Sequence, residues 1–170
     1  MNERSYANIT KRDLRRLAQI ALADRADFLD RNPRYRSICD DGHLLCIALC
    51  QGAALHYLDG CNGIKDFDVW VFYRRAGADE FPPRRPRSPI DFGDDKFGCT
   101  PGAKYAALVG RQVNLMGRSI DARQGEPPIE TVRRYLRGAG TKSARELGKK
   151  PAVAIFPDAL LGKVIWPVRG

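Results

Sequence analysis

"QGAALHYLDGCNGIKDFDVWVF" (residues 51–72) places two acids one residue apart in an otherwise strongly apolar stretch. Asp66 and Asp68 flank Phe67 and are followed at once by Val69, Trp70, Val71 and Phe72. The surrounding "IKDFDVWVFY" (64–73) is rich in β-branched and aromatic residues and reads as a strand. Alternate residues of a strand share a face, so Asp66 and Asp68 project together while Phe67, Val69 and Val71 face the other way, into a core. Two adjacent carboxylates repel each other and are costly near apolar surroundings unless something positive neutralises them. A hard divalent cation, Mg²⁺ or Mn²⁺, does this well, because it takes oxygen ligands from one or two carboxylates together with substrate phosphates. The plainer alternative is a solvated strand face on which the acids meet Lys65, Arg74 or Arg75.

Upstream, "HLLCIALC" (43–50) is an apolar run of strand length. Gln51-Gly52-Ala53-Ala54 then begins a short helix reaching Leu58, and Asp59-Gly60 marks a turn. Small residues at the head of a helix let a phosphate approach backbone N–H groups. Downstream, "GRQVNLMGRSI" (110–120) alternates as a further strand, with Val113, Leu115 and Ile120 inward.

This order of strand, small-residue turn, short helix and Asp-x-Asp strand resembles the nucleotidyltransferase superfamily related to DNA polymerase beta, over roughly residues 40–120. The family motif is Gly-Ser at the head of a helix, Asp-x-Asp on the next strand, and a third carboxylate flanked by apolar residues on a later one. Gly52 matches the glycine, and Asp66 and Asp68 match the metal-binding pair. The resemblance implies Mg²⁺- or Mn²⁺-dependent transfer of a nucleotidyl group from an NTP to an RNA, protein or small-molecule acceptor. Asp66 and Asp68 would be catalytic, and Asn114 would complete the metal site. Gly52 and Ala53 would lie against the phosphates. Apart from the resemblance, Lys104 and Arg118 are secondary candidates for triphosphate contact, the plainer reading being solvated strand-end cations.

Two positions depart from the pattern. Ala53 stands where the serine belongs, removing a hydroxyl. Asn114 stands where the third acid belongs; its amide can offer an oxygen but neither charge nor basicity. Asp121 is an alternative third acid, set beyond the alternating stretch. Both departures favour a second reading: a catalytically degenerate module of the same fold that binds nucleic acid or a protein partner. A basic α/β domain unrelated to the superfamily is the third.

The rest of the chain is consistent with one α/β (α+β) domain over residues 1–170, a mixed β-sheet flanked by helices. Thr10 and Asp13 form a capping-box pattern opening a helix over 10–32, with Leu14, Leu17, Ala21 and Phe28 on one face and Pro33 as the stop. A helix starts at Pro127-Pro128 and stops at Gly138; a short one runs from Thr141 to Gly148. Residues 151–156 and 163–168 are the last strands. Residues 76–104, dense in Pro and Gly, read as a long loop bordering the carboxylates, where Arg84, Arg85 or Lys96 would meet an acceptor's phosphates. Trp70 and Trp166 read as core, and His56 as a satisfied structural histidine rather than a base.

Composition narrows the partners. With 29 basic against 20 acidic residues the net charge is +9, which favours polyanions. Five cysteines without a Cys-x-x-Cys pair read as reduced thiols, and the spacings of His43, Cys46, Cys50, His56 and Cys61 do not suit zinc. The polar N-terminus and the shortness of the apolar runs point to a cytoplasmic protein without a membrane span.

Overall fold

A computed structural model describes residues 3–77 and 88–168 of the chain. Helix α1 (Lys11–Arg31) begins as its sequence requires: Thr10 accepts from the Asp13 N–H, and the Asp13 carboxylate accepts in return from the Thr10 N–H at 2.8 Å. Leu14, Leu17, Ala21 and Phe28 are buried along one stripe. A short helix α2 (Arg36–Cys39) leads into β1 (Leu44–Cys50), which passes straight into α3 (Gln51–Asp59). Gly60, in the left-handed conformation that a side chain resists, closes α3.

Strand β2 (Phe67–Arg74) follows, then the two-residue β3 (Ile90–Asp91) and β4 (Gln112–Ile120). Helices α4 (Pro128–Gly138) and α5 (Lys142–Leu147) precede β5 (Ala152–Phe156) and β6 (Val164–Trp166). The strands form one mixed sheet in the order β3-β4-β2-β1-β5-β6. The central pair β2 and β4 is parallel, whereas β1 is antiparallel to both β2 and β5. The chain is thus a mixed sheet flanked by helices, as its sequence suggests.

The sheet separates two cores. One holds the α1 stripe with Ile47, Leu49, Phe67, Val69, Val71 and Leu115. The other joins Cys46, Cys50, Phe72 and Ile120 to Val132 and Leu136 of α4 and Leu147 of α5. Trp70 packs in part against the edge of this second layer, which leaves its other side, with Asp68, Asn114 and Met116, open as a cleft.

Several expectations need adjustment. Asp66 lies one residue ahead of β2 rather than within it, because the chain is still turning at Lys65. Gly138 belongs to α4, and the left-handed cap is Ala139. Trp70 and Trp166 are half-buried rather than core; the Trp166 Nε1–H donates to the Gly148 carbonyl. The described part of the long loop is more ordered than its composition suggests. It carries β3, two 3-10 turns, and Phe92 and Phe97 packed tilted and edge-on against Phe67 in the core. Lys96 does not face the cleft, since it pairs with Asp13. Arg84, Arg85 and Arg87 lie outside the described residues.

Asp13 therefore serves two elements, the start of α1 and the 95–97 turn. Burial pushes its carboxyl up, but hydrogen bonds from Lys96 and Thr10 outweigh this and hold it below its ordinary value. A carboxyl depressed by folding contributes stability above its unfolded value and loses that contribution as pH falls through the folded one. Asp13→Ala is expected to lower the unfolding free energy at pH 7 by about 2 kcal/mol. In denaturant titrations the deficit should narrow below about pH 4. A pH-independent deficit would contradict the paired, ionised Asp13.

Candidate functional site

The cleft takes its floor from β2 and β4, and their parallel register sets Asp68 directly beside Asn114. The Asn114 amide Nδ2 donates to the Asp68 carboxylate at 3.2 Å. Asp66 joins them at the same cleft, which has a volume of about 800 Å³. Register across the other side of β2 pairs Asp68 with Cys50, the last residue of β1, so the head of α3 starts next to the carboxylates.

The segment carrying Asp66 is fixed from behind. Ser5 and Ile64 exchange backbone hydrogen bonds at 2.9 and 2.7 Å. Arg111, only 4% exposed, donates to the carbonyls of Phe97 at 2.8 Å, Glu3 at 2.9 Å and Lys65 at 3.3 Å. Its guanidinium thus braces the residue before Asp66. Gly63 cannot carry a side chain: its φ is +74°, and a Cβ there would lie 2.9 Å from the Tyr6 ring. His56 is buried, accepting from the Gly63 N–H through Nδ1 and lying 3.0 Å from the Ala7 carbonyl through Nε2. A neutral ring protonated at Nε2 satisfies both contacts, so His56 is structural.

Asp68 is the electrostatic centre of the site. Burial raises its carboxyl to about 6, the charge of Asp66 adds to the rise, and the Asn114 hydrogen bond and the charge of Lys150 only partly oppose it. Among the described residues neither Asp66 nor Asp68 has a side-chain ion pair; Arg75, a suggested partner, pairs with Asp121 at 2.8 Å. The neighbouring Cys50 thiol is pushed well above its ordinary value by burial and by Asp68, so it is an inert neighbour.

The other expected residues divide. Lys104 lines the cleft, its Nζ 4.8 Å from the Tyr105 ring centroid. Gly52 sits in the first turn of α3 with its carbonyl accepting from Asn62 Nδ2 at 3.0 Å; Ala53 is 2% exposed, so its side chain belongs to the core. Arg118 is on the Asn114 face of β4 but lies about 13 Å farther along the strand and does not line the cleft. Asp121 follows the last residue of β4, at the end remote from Asn114, and cannot serve as the third acid there.

Sequence reading missed Gln51, Lys150 and the cleft role of Trp70. Gln51 lines the cleft, adopts a left-handed φ of 58° and donates through Nε2 to the Glu146 carbonyl. A non-glycine residue in that conformation is strained, a feature that clusters at functional turns and leaves no mark in residue spacing. Lys150 comes close because Cys50 pairs with Ala152 on one side and Asp68 on the other. Only the strand order could reveal that.

The residues suit an oxygen-seeking divalent cation in part. Two adjacent carboxylates without a cationic partner want positive charge, and the Asn114 amide could turn its oxygen inward. Among the described residues no three His, Cys, Asp or Glu side chains converge on one metal position, so a cation would hold only two protein charges here. No helix among the described residues is long and apolar enough to cross a membrane. No protein-family model, curated protein or solved structure matches the chain.

Because folding raises the Asp68 carboxyl above its unfolded value near 4, the unfolded chain releases that proton first, and ionisation opposes folding. The metal-free protein should lose stability through Asp68 as pH rises from about 4 to 6, with no further change above. Asp68→Asn removes this cost. At pH 8 it is expected to raise the unfolding free energy by about 1–2 kcal/mol, with no advantage at pH 4. Equal effects at both pH values would contradict the raised carboxyl.

Proposed function

We propose that the chain is a nucleotidyltransferase-fold protein that binds an NTP as its Mg²⁺ or Mn²⁺ complex and transfers the nucleotidyl group to an RNA, protein or small-molecule acceptor, with pyrophosphate leaving. One observation carries this reading. Asp68 and Asn114 are register partners on adjacent parallel strands, and they share a cleft with Asp66 and the head of α3. That is the arrangement implied when Asp-x-Asp, a third-ligand position and a small-residue turn belong to one site.

Roles follow from position. Asp66 and Asp68 supply the anionic oxygens, and Asn114 orients Asp68. Asp66 and Asp68 would hold the divalent ion, which would supply positive charge to offset charge developing on the transferred group. The Gln51–Gly52 turn offers backbone N–H groups to phosphates at the head of α3, and Lys104 and Lys150 add positive charge at the cleft and beside Asp68. A cytoplasmic location, where such thiols stay reduced, is part of the same proposal.

The degenerate-module reading is favoured by the Asn114 amide hydrogen bond, which occupies an Asp68 lone pair without adding charge. The two readings separate by activity. With α-phosphate-labelled NTPs, Mg²⁺ or Mn²⁺, and RNA or cell extract, label should enter an acceptor, and Asp68→Asn should abolish this. NTP binding should require the metal, because two carboxylates hold it weakly before the triphosphate arrives. Asn114→Asp, giving three negative charges, should tighten that binding and raise transfer. Binding of nucleic acid or a protein partner without transfer selects the module; equal NTP affinity in EDTA and in Mg²⁺ contradicts the two-carboxylate metal site.

A further inference from the structure

Beyond the carboxylates, the sheet face that carries Asp68 changes character in steps that follow strand register. Asp68 faces Asn114, Trp70 faces Met116, Phe72 faces Arg118, and Arg74 faces Ile120. Trp70 and Met116 line the cleft and give it an apolar floor, with the Trp70 ring lying nearly parallel to Phe72 at 6.2 Å. Helix α4 covers Phe72 and Ile120, leaving Arg118 and Arg74 beside it. Both arginines are half-buried, and among the described residues neither makes a side-chain hydrogen bond or ion pair. Asp121, the nearby acid, is already taken by Arg75.

Half-buried guanidinium groups with no counter-charge paired to them among the described residues, in a chain of net charge +9, favour an anionic partner. An NTP bound at Asp66 and Asp68 would have its phosphates at the opposite end of this track, so Arg118 and Arg74 are free for phosphates of a different molecule. An apolar floor with an aromatic ring, followed by fixed cations on the same face, is the pattern that holds single-stranded nucleic acid: a base stacks while the backbone tracks the charge. A duplex could not lay a paired base on Trp70.

We propose that the cleft floor and the sheet face beyond it bind single-stranded nucleic acid, with a base on Trp70 and Met116 and phosphates outside the cleft at Arg118 and Arg74. The inference rests on the nucleotidyl-transfer reading only for calling this strand the acceptor; the binding itself does not need it. Arg118 thereby serves the acceptor rather than the NTP.

The experiment is fluorescence anisotropy with a fluorescein-labelled 12-nucleotide single-stranded RNA and the full chain. The RNA should bind more tightly than its duplex, quench tryptophan emission, and weaken with salt. Trp70→Ala should weaken it at least fivefold, whereas Trp70→Phe should keep most of the affinity. Arg118→Gln should weaken it and flatten the slope of log K against log salt by about 0.7. Asp68→Asn should leave RNA binding intact while removing metal-dependent NTP binding, so the two readings fail separately. If Trp70→Ala does not fold, Arg118→Gln decides. Unchanged RNA affinity and salt slope in Arg118→Gln would overturn the proposal. So would displacement of the RNA by polyglutamate as readily as by unlabelled RNA, which would instead indicate an acidic protein partner.

Discussion

Asp68 holds a carboxylate partly out of water, beside a second carboxylate, with an uncharged amide as its hydrogen-bonding neighbour. Left alone this arrangement opposes folding, because the charged form loses hydration and gains a like charge without a cation bound in return. The sheet tolerates it because β2 is a central strand, paired along its length to β1 and β4 and backed by Phe67, Val69 and Val71 in the larger core. Stability invested there keeps an unfavourable group in place. Such a cost makes chemical sense at a site that meets a cation and makes little sense on a plain surface.

From that constraint the rest of the cleft follows. The antiparallel step from β1 to β2 brings the head of α3 to the acids, and the pairing of β5 with β1 delivers Lys150. The buried Arg111 joins three separate segments through their carbonyls, and one of them leads directly into Asp66. The smaller α4–α5 layer covers only part of its face and leaves the floor open at Trp70 and Met116. Carboxylates, the head of α3 and an apolar floor thus share one opening.

Much of this was legible in residue order. The capping box at Thr10, the α1 stripe, the β1–α3–β2 order and the buried side of β2 all follow from local periodicity, which acts over a few residues. The partnership of Asp68 with Asn114 was legible only through the motif resemblance, since nothing local says that residues 46 positions apart pair in parallel. Two things were hidden. Phe92 and Phe97 order a stretch whose prolines and glycines suggested irregular loop, because aromatic burial outweighs local propensity. The strained Gln51, the nearness of Lys150 and the brace of Arg111 depend on long-range topology, which spacing does not encode.

The most direct measurement is a ¹³C NMR titration of the Asp68 side-chain carboxyl in the metal-free protein, repeated with Mg²⁺ and a non-hydrolysable NTP. Without metal the midpoint should lie at about 6. With the metal–nucleotide complex it should move down below the ordinary carboxylate value near 4, because a bound cation favours the ionised form. A midpoint near 4 in the free protein, unmoved by metal and nucleotide, would contradict a carboxylate pair held for a cation.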